Sequence, residues 1–337
     1  MTQAALVPGV THRYLQAGGL RMHVAEAGEG PLVLLLHGFP ESWYSWRHQL
    51  TALAAAGYHA VAPDQRGYCE TGPPGTAGQP AQISDYTMLH LTGDVLALMD
   101  ALGEEQAVVA GHDWGAPVAW HCGLFRPDRV RGVIALSVPY RPRGSVAPIA
   151  TLRRQLGESF YMVYFQQPGV AEAELSRDPA VTFRKVLWSL SGDAPGMTLI
   201  PAGGGFLDAA GPAPDSLPPW LTERDIDAYV AQYAGSGFTG PLNWYRNMDR
   251  NWELTAAWQH APVLVPALFM AGDRDPVIGF VSPAGLGEVV PRLTRSVVLP
   301  GCGHWTQQER PAEVSAEMIG FLAGLDQAAP EHPAGQG

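Results

Sequence analysis

The stretch 109-VAGHDWGAPVAW-120 decides the fold class, because it has the pattern of an apolar strand end, a tight turn and a helix start. Gly111 and Gly115 stand two residues to either side of Asp113. A sharp strand-to-helix turn that presents a nucleophile needs small residues at those positions, since the backbone is crowded there. An ordinary turn capped by an aspartate would show the same residues. The stretch predicts a nucleophile turn with a carboxylate at its centre.

Apolar runs alternate with helix-like segments in the first part of the chain, and two more runs follow near its end. The runs are 31-PLVLLLHG-38, 58-YHAVAPD-64, 106-QAVVAGH-112, 130-VRGVIALSV-138, 263-VLVPALFMAG-272 and 295-RSVVLPG-301. The helix-like segments are residues 45–56, 86–102, 114–125 and 311–324. Apolar strands separated by helices predict an α/β fold with a doubly wound, mostly parallel sheet that helices cover on both faces.

The composition changes between residues 139 and 250, where the chain is rich in aromatic residues, Gly and Pro, with helical patches. We predict that this segment is a mostly helical cap, inserted into a core formed by residues 1–138 and 251–325. Within it, residues 191–220 read as a long irregular loop, and such loops are usually functional or mobile. The composition of residues 326–337 predicts a disordered tail.

The overall composition narrows the class of partner. The 337 residues carry a formal charge of −11, which argues against nucleic acid or an anionic membrane. Cys69, Cys122 and Cys302 show no metal-ligand spacing and no disulfide framework, so a reducing compartment is expected. The N-terminus lacks a signal pattern, and no apolar run reaches membrane-spanning length. We expect a cytoplasmic monomer or homodimer that binds no metal.

Two late segments supply candidates for a catalytic acid and base. Asp275 comes just past a strand in 268-LFMAGDRDPV-277, and His304 just past the next in 297-VVLPGCGHWTQQERP-311. Acid and base follow the nucleophile in this order when a nucleophile turn carries a triad. Asp273 competes with Asp275 for the acid role, and we favour Asp275. Each residue alone could be an ordinary loop residue, but their joint order predicts a triad with Asp113.

The early loop 37-HGFP-40 is the expected partner of that triad. An oxyanion hole needs two backbone N–H groups that point at one position. Trp114, directly after the nucleophile, supplies one. Phe39 is the natural second donor, because Pro40 has no N–H. We interpret His37 as structural.

Six motifs together resemble the soluble-type epoxide hydrolases of the α/β-hydrolase superfamily. They are 37-HGFPESWYSWRHQ-49, 62-APDQRGY-68, 111-GHDWGAPVAW-120, 164-YFQQPGVAEAEL-175, 240-GPLNWYRN-247 and 301-GCGHWTQQERP-311. They cover roughly residues 20–320, both core and insertion. The mammalian soluble enzymes carry an additional N-terminal phosphatase domain, which this sequence lacks, so no magnesium-dependent phosphatase activity is expected.

The resemblance implies roles for lid tyrosines, which donate hydrogen bonds to the epoxide oxygen in this family. The matching positions are Tyr161 and Tyr245, with Tyr164 a competitor for Tyr161. Cys69 stands where relatives usually have glycine, and we expect its thiol near the substrate entrance. The implied activity is conversion of lipophilic epoxides and water to vicinal diols, without a cofactor, in a detoxifying role.

A carboxylate nucleophile suits this chemistry. Attack by serine on an sp³ carbon would leave an ether, whereas attack by Asp113 leaves an ester that water can cleave. The nearest alternative is a haloalkane dehalogenase, in which Trp114 would cradle a halide. Halide leaves without a proton, so paired lid tyrosines favour the epoxide. The remaining alternative is a non-catalytic ligand receptor on the same fold.

Overall fold

The computed structural model describes residues 7–72 and 81–328. Within these ranges, one sheet of eight strands forms the centre of the molecule. The strands are β1 Thr11–Ala17, β2 Leu20–Ala27, β3 Leu32–Leu36, β4 His59–Pro63, β5 Ala107–His112, β6 Val130–Leu136, β7 Ala267–Gly272 and β8 Leu293–Leu299. Their spatial order is β1-β2-β4-β3-β5-β6-β7-β8. The sheet is parallel from β4 to β8, and β1 and β2 pair antiparallel at one edge.

The described residues form fifteen α-helices and three short 3₁₀ segments. The helices are α1 Arg47–Ala55, α2 Met88–Leu102, α3 Gly115–Phe125, α4 Pro148–Leu156, α5 Tyr161–Tyr164, α6 Val170–Leu175, α7 Pro179–Ser189, α8 Phe206–Ala209, α9 Glu223–Tyr233, α10 Thr239–Arg246, α11 Met248–Leu254, α12 Pro276–Phe280, α13 Leu286–Val289, α14 Thr306–Glu309 and α15 Pro311–Ala328. The 3₁₀ segments are Trp43–Trp46, Ile83–Tyr86 and Ala256–Trp258. No helix of the described part is long and apolar enough to cross a membrane.

The predicted parallel sheet is confirmed, and an additional N-terminal hairpin extends it. The sequence pattern did not reveal β1 and β2, because most residues of β1 face solvent and its alternation is weak. The two-residue turn between them consists of Gly18 and Gly19, both with positive φ (58° and 80°). Such a turn matches the twist of an antiparallel hairpin, and glycine adopts it at low cost.

The insertion lies between β6 and β7 and comprises α4 to α11. The predicted cap boundary at residue 250 falls inside α11, which runs on to Leu254. The segment 191–220 is irregular as expected, except for α8. The predicted disordered tail begins too early, because α15 continues to Ala328. Residues 329–337 lie outside the described part.

The centre of the sheet positions the candidate residues. Every residue of β3, β5 and β7 is buried, as expected for strands covered on both faces. Carboxyl ends of parallel strands meet at one edge of a sheet, where ligands bind in open α/β folds. Asp113 directly follows β5, and Asp275 and His304 follow β7 and β8 within a few residues. The topology therefore brings three distant sequence segments to one edge.

Candidate active site

The turn that carries Asp113 is strained. Asp113 has φ +49°, in the left-handed region that L-residues rarely adopt. A Cβ at Gly111 would overlap the backbone of Gly115, and one at Gly115 would overlap the backbone of Leu36. A Cβ at Gly38 would overlap the side chain of Asp113 itself. The glycines therefore leave room for a tight turn, and the turn points a carboxylate away from the sheet.

The structure brings the three predicted triad residues together. His304 Nε2 lies 3.4 Å from Asp113 Oδ2, and His304 Nδ1 lies 3.1 and 3.2 Å from the two Asp275 oxygens. Asp275 is buried and also accepts the amide N–H of Val277. Asp273 is exposed and accepts the amide N–H of Gly301 instead. Asp275, not Asp273, is therefore the acid that contacts the imidazole.

Charge pairing sets the protonation of this triad. Burial alone would lower the pKa of His304, but the carboxylates of Asp275 and Asp113 raise it well above the ordinary value. Burial alone would raise the pKa of Asp113, but the hydrogen bond and charge of His304 hold it below the ordinary value. Asp275 behaves like Asp113, since His304 outweighs its burial and lowers its pKa. The pairing of charges therefore favours a cationic imidazole between two ionised aspartates.

The early loop contributes a backbone donor to the nucleophile. The amide N–H of Phe39 donates to Asp113 Oδ1 at 2.8 Å. His37 does not face the cavity: its Nε2 accepts the amide N–H of Gln65 at 3.1 Å, and its Nδ1 donates to the Gly38 carbonyl at 3.0 Å. Both ring nitrogens are thus used in holding the loop, in agreement with a structural role.

The two predicted lid tyrosines lie over the triad. Tyr161 of α5 and Tyr245 of α10 both line the cavity that contains Asp113 and His304, with their ring centroids 6.0 Å apart. Tyr164 is directed elsewhere, since its hydroxyl donates to Glu174 at 2.9 Å. Burial and, next, the charge of Asp113 raise the pKa of Tyr161 and Tyr245 well above the ordinary value. Both phenols are therefore protonated while Asp113 is ionised.

A cavity of about 250 Å³ connects the triad with the tyrosines. Asp113, His304, Tyr161, Tyr245 and Thr198 are its polar residues. The other lining residues are Phe39, Phe160, Val186, Leu190, Met197, Leu199, Phe206, Pro276, Val277 and Phe280. Apolar walls with a few convergent polar groups are typical of sites for small, lipophilic molecules.

A buried network behind the base was not predicted. His112 Nε2 lies 2.7 Å from the carbonyl oxygen of His304, and its Nδ1 lies 2.7 Å from Glu41 Oε2. Glu41 also accepts the amide N–H of Gly38 and the side-chain amide of Gln307. Burial alone would raise the pKa of Glu41, but His112 and the Gly38 amide lower it.

Both ring nitrogens of His112 lie within hydrogen-bond distance of an oxygen atom. The neighbouring His112 is also among the groups that lower the pKa of Asp113. His112 and Glu41 stand inside 111-GHDWGAPVAW-120 and 37-HGFPESWYSWRHQ-49, so the motifs contained them. The sequence could not indicate that the two side chains meet.

The expected position of Cys69 near the substrate entrance is wrong. Cys69 is buried, and it does not belong to the lining of the catalytic cavity. Burial and the charge of Asp64 raise the pKa of its thiol well above the ordinary value, so it stays protonated. Its φ is +46°, in the left-handed region that favours glycine.

The fold, with Asp113 in the tight turn directly after β5, defines an α/β hydrolase. A family model described as alpha/beta hydrolase fold matches residues 31–178. Epoxide hydrolase A of Mycobacterium tuberculosis is 48% identical over 94% of this chain and 98% of its own length.

Solved structures agree with that match. The crystal structure of epoxide hydrolase A from Mycobacterium thermoresistibile is 49% identical, with a TM-score of 0.87 over 94% of this chain and 98% of its own. An epoxide hydrolase from an endophytic Streptomyces is 45% identical, with a TM-score of 0.89 over 95% and 97%. The chain belongs to the epoxide hydrolase family, and the resemblance predicted from its motifs is confirmed.

Proposed function

We propose that this protein converts lipophilic epoxides to vicinal diols through a covalent ester on Asp113. The observation that carries the proposal is the convergence of four groups on one apolar cavity: the Asp113 carboxylate, the His304 imidazole and the phenols of Tyr161 and Tyr245. A carboxylate that contacts an imidazole, in a cavity that two phenols also line, suits ring opening followed by ester hydrolysis. No cofactor enters the scheme.

In the first step, an Asp113 oxygen attacks one epoxide carbon and the C–O bond of the ring breaks. The departing oxygen takes a proton from Tyr161 or Tyr245, which hold it between their hydroxyls. The charge of Asp113 is among the causes that raise the pKa of both phenols. Esterification removes that charge, so the pKa of the phenols falls as the departing oxygen needs a proton.

Alkylation also converts His304 into a base. The charge and hydrogen bond of Asp113 are among the causes that raise the pKa of His304, and both change when Asp113 becomes a neutral ester. The proton that His304 then releases balances the one lost by the tyrosines. Asp275 still holds Nδ1, so Nε2 is the free nitrogen that faces the ester.

In the second step, His304 takes a proton from water and the hydroxide attacks the ester carbonyl. The amide N–H groups of Phe39 and Trp114 stabilise the oxyanion, and a lost donor of this kind costs roughly 3–4 kcal/mol of barrier. The ester C–O bond breaks, and the departing alkoxide takes the proton of the hydroxyl that water added, so the diol leaves and Asp113 is again a carboxylate. The first proton of that water remains on His304. The cycle ends with the ion pair of His304 and Asp113 with which it began.

An isotope experiment tests this route. In H₂¹⁸O with enzyme in excess over a terminal epoxide, one turnover should place the label in the carboxylate of Asp113 and leave the diol unlabelled. Peptide mass spectrometry locates the label. A first-turnover diol that carries the label, with an unlabelled Asp113 peptide, would refute the covalent ester.

The haloalkane dehalogenase alternative requires a different outcome. Chloride or bromide release from haloalkanes, together with no diol from any epoxide, would favour it. The paired phenols are the reason for preferring the epoxide, because a halide leaves without a proton. The receptor alternative would show ligand binding and neither product.

We propose further that the protein acts in the cytoplasm as a monomer or homodimer, with epoxide and water as its only reaction partners. Cys69, Cys122 and Cys302 are all free, which suits a reducing compartment. Light scattering of the purified protein and fractionation of the source cells test these two statements.

A further inference from the structure

Glu309 is a buried carboxylate that belongs neither to the predicted triad nor to the lining of the catalytic cavity. Its Oε2 accepts the amide N–H of Gly303 at 2.9 Å, and its Oε1 accepts the amide N–H of Trp305 at 3.0 Å. These two residues stand immediately before and after His304. One carboxylate therefore holds the backbone on both sides of the base, in residues 303–305, which we call the base loop.

The same carboxylate binds a segment of the cap. Oε2 of Glu309 also accepts the amide N–H of Gly192 at 2.9 Å. Two residues earlier, the carbonyl oxygen of Leu190 accepts the amide N–H of His304 at 2.8 Å, and Leu190 lines the catalytic cavity. Residues 190–192, the cap segment, are therefore bonded both to the base and to the carboxylate that holds the neighbours of the base.

Close packing leaves the base loop and the cap segment little freedom to move apart. A Cβ at Gly303 would overlap the backbone of Gly192, and a Cβ at Gly192 would overlap the backbone of Gly303. Arg274 fixes the cap segment from another side, because its Nη1 donates to the Gly192 carbonyl at 2.8 Å. The amide N–H of Arg274 donates to the Cys302 carbonyl at 3.0 Å. The backbone before His304 is thus held through three separate contacts.

The contacts of Glu309 require a carboxylate. Burial raises the pKa of Glu309 above its ordinary value, although three amide N–H groups and the charge of His304 lower it. A buried carboxylate is costly unless its oxygens are hydrogen-bonded, and here backbone donors reach both oxygens. An amide side chain has a single acceptor oxygen, so it would set its own N–H group against at least one of the three backbone donors.

We propose that Glu309 is a positioning residue for His304, which holds the imidazole in the orientation that activates water. It acts through the backbone of the base loop and not by contact with the substrate. This inference rests on the proposed function, since the step that it serves is hydrolysis of the ester on Asp113. Formation of the ester depends on the Asp113 carboxylate and the lid phenols, so it is less sensitive to the orientation of the His304 ring.

Glu309→Gln tests the assignment, because it keeps the shape of the side chain and removes one acceptor. In single turnovers of styrene oxide with enzyme in excess, ester hydrolysis should slow by at least about tenfold and ester formation by less than about threefold, as for a displaced catalytic group. Intact-protein mass spectrometry should show that the ester accumulates. In the steady state kcat and KM should fall together, because hydrolysis then limits turnover. Loss of folded enzyme would instead lower kcat and leave KM and both single-turnover rate constants unchanged.

The outcomes separate this inference from the proposed function. A folded Glu309→Gln variant whose ester is hydrolysed at the wild-type rate would overturn the positioning role, and so would equal slowing of both steps. The ester would still form in either case, so the proposed function would stand. A wild-type enzyme that converts styrene oxide to its diol without forming any ester would count against the proposed function instead.

Arg274→Met keeps the inference testable if Glu309→Gln does not fold. The side chain of Arg274 is exposed, and its replacement removes the donor to the Gly192 carbonyl without opening the core. Ester hydrolysis should slow by a smaller factor, about threefold or more, with ester formation unchanged. An unchanged rate of hydrolysis in Arg274→Met would then overturn the proposal that the cap segment and the base loop hold the base.

Glu174→Gln is the matched control in the cap. Its carboxylate also accepts two backbone amides, those of Phe206 at 3.0 Å and Leu207 at 2.8 Å, and the hydroxyl of Tyr164. These partners all lie within the cap and outside the base loop. The substitution should leave the rate of ester hydrolysis within about twofold of the wild-type value. Slowing equal to that in Glu309→Gln would mean that loss of any carboxylate anchor disturbs the base, and it would overturn the specific role of Glu309.

Discussion

In the described part of the chain, two buried histidines, His23 and His304, bond an aspartate through Nδ1, and of these two only His304 lines the cavity that contains Asp113. At the carboxyl edge of the sheet, Asp275 contacts His304, whose other nitrogen reaches Asp113. At the N-terminal hairpin, Asp64 contacts His23 at 2.8 Å, and the other nitrogen of His23 lies 3.1 Å from a second imidazole, His12.

At the hairpin pair, both ring nitrogens of His23 and both carboxylate oxygens of Asp64 have partners within the protein. His12 lies edge to face against Trp43, with centroids 4.7 Å apart, and its Nε2 is buried without a hydrogen-bond partner. Asp64 also accepts the amide N–H of Trp43 at 3.2 Å. This hydrogen-bonded chain of Asp64, His23 and His12, the hairpin relay, therefore connects β2 to the residue after β4 and to the 3₁₀ segment before α1. At its other end, the ring of His12 packs on the indole of Trp43.

The comparison shows that both pairs share the Asp–His contact, whereas their surroundings differ. Both pairs orient an imidazole by a buried carboxylate, which is the part of a triad that local geometry supplies. Of the two histidines, only His304 lines the cavity that also contains the Asp113 carboxylate and the phenols of Tyr161 and Tyr245. The proposed catalytic role of the Asp275–His304 contact therefore rests on what lies on the far side of the ring.

The strongest test replaces each histidine by glutamine. His304→Gln should lower kcat by at least about 10⁵-fold, because the alkyl-enzyme forms but no base activates water. Intact-protein mass spectrometry should show a gain equal to the mass of the epoxide. His23→Gln should keep kcat within about twofold and instead lower the free energy of unfolding by about 2–3 kcal/mol, since buried Asp64 loses its partner. A comparable loss of kcat in His23→Gln would break the comparison.

The aspartates of the two pairs, Asp275 and Asp64, can be compared in the same way. Asp275→Asn should lower kcat by about 10⁴-fold with little effect on KM, because the amide favours the wrong tautomer of His304 and leaves its cationic form unpaired. Asp64→Asn should leave kcat nearly unchanged and lower the melting temperature, as read by circular dichroism. If both variants lost activity equally while folded, the hairpin relay would have to be coupled to the active site.

Variants of the two lid tyrosines test what the groups across the cavity from His304 contribute to the rate. Tyr245→Phe and Tyr161→Phe should each lower the rate of alkylation by about 10²-fold or more, the usual contribution of a general acid. Single-turnover kinetics should show a slower formation of the ester and an unchanged rate of its hydrolysis. Tyr164→Phe is the matched control, since Tyr164 bonds Glu174 outside the cavity, and it should change neither rate.

The catalytic pair was predictable from sequence for a physical reason. Asp113, Asp275 and His304 follow strands whose apolar runs are unmistakable, and parallel strands bring their carboxyl ends together. Chain order therefore implied spatial proximity before any coordinates. Tyr245 lies in the helical cap, where no strand order applies, and its assignment needed the resemblance of its motif to a known family.

The hairpin pair and the His112 network could not be predicted in this way. His12 lies on the half-exposed β1, whose alternation is weak, and His23 lies on the largely buried β2; the register between them is set by the turn at Gly18 and Gly19. Glu41 and His112 are distant in sequence and meet through side chains alone. Side-chain contacts between non-adjacent segments depend on packing, which a single sequence does not encode in any periodic pattern.

The smallest expected effect concerns the pH dependence of stability. Burial, and next the neighbouring His23, lower the pKa of His12 to about 4, against about 6.5 in an unfolded chain. Between these values the unfolded chain binds a proton that the folded protein does not, so stability falls as the pH drops from about 6.5 to about 4. His12→Gln should remove this part of the slope, which is measured as the difference in melting temperature from the wild type at each pH.

His48, with a pKa also lowered to about 4, provides the control for that measurement. His48 is exposed on α1, where partial desolvation of the ring and next the charge of Arg47 lower its pKa, so it contributes a slope of the same sign. His48→Gln should flatten the pH profile in the same window and leave the hairpin relay untouched, and the two changes should add in the double variant. A steeper profile in His12→Gln would mean that the relay prefers a protonated His12. The hairpin would then hold a cationic imidazole, as the proposed active site does, and the charge of the imidazole would no longer distinguish the two pairs.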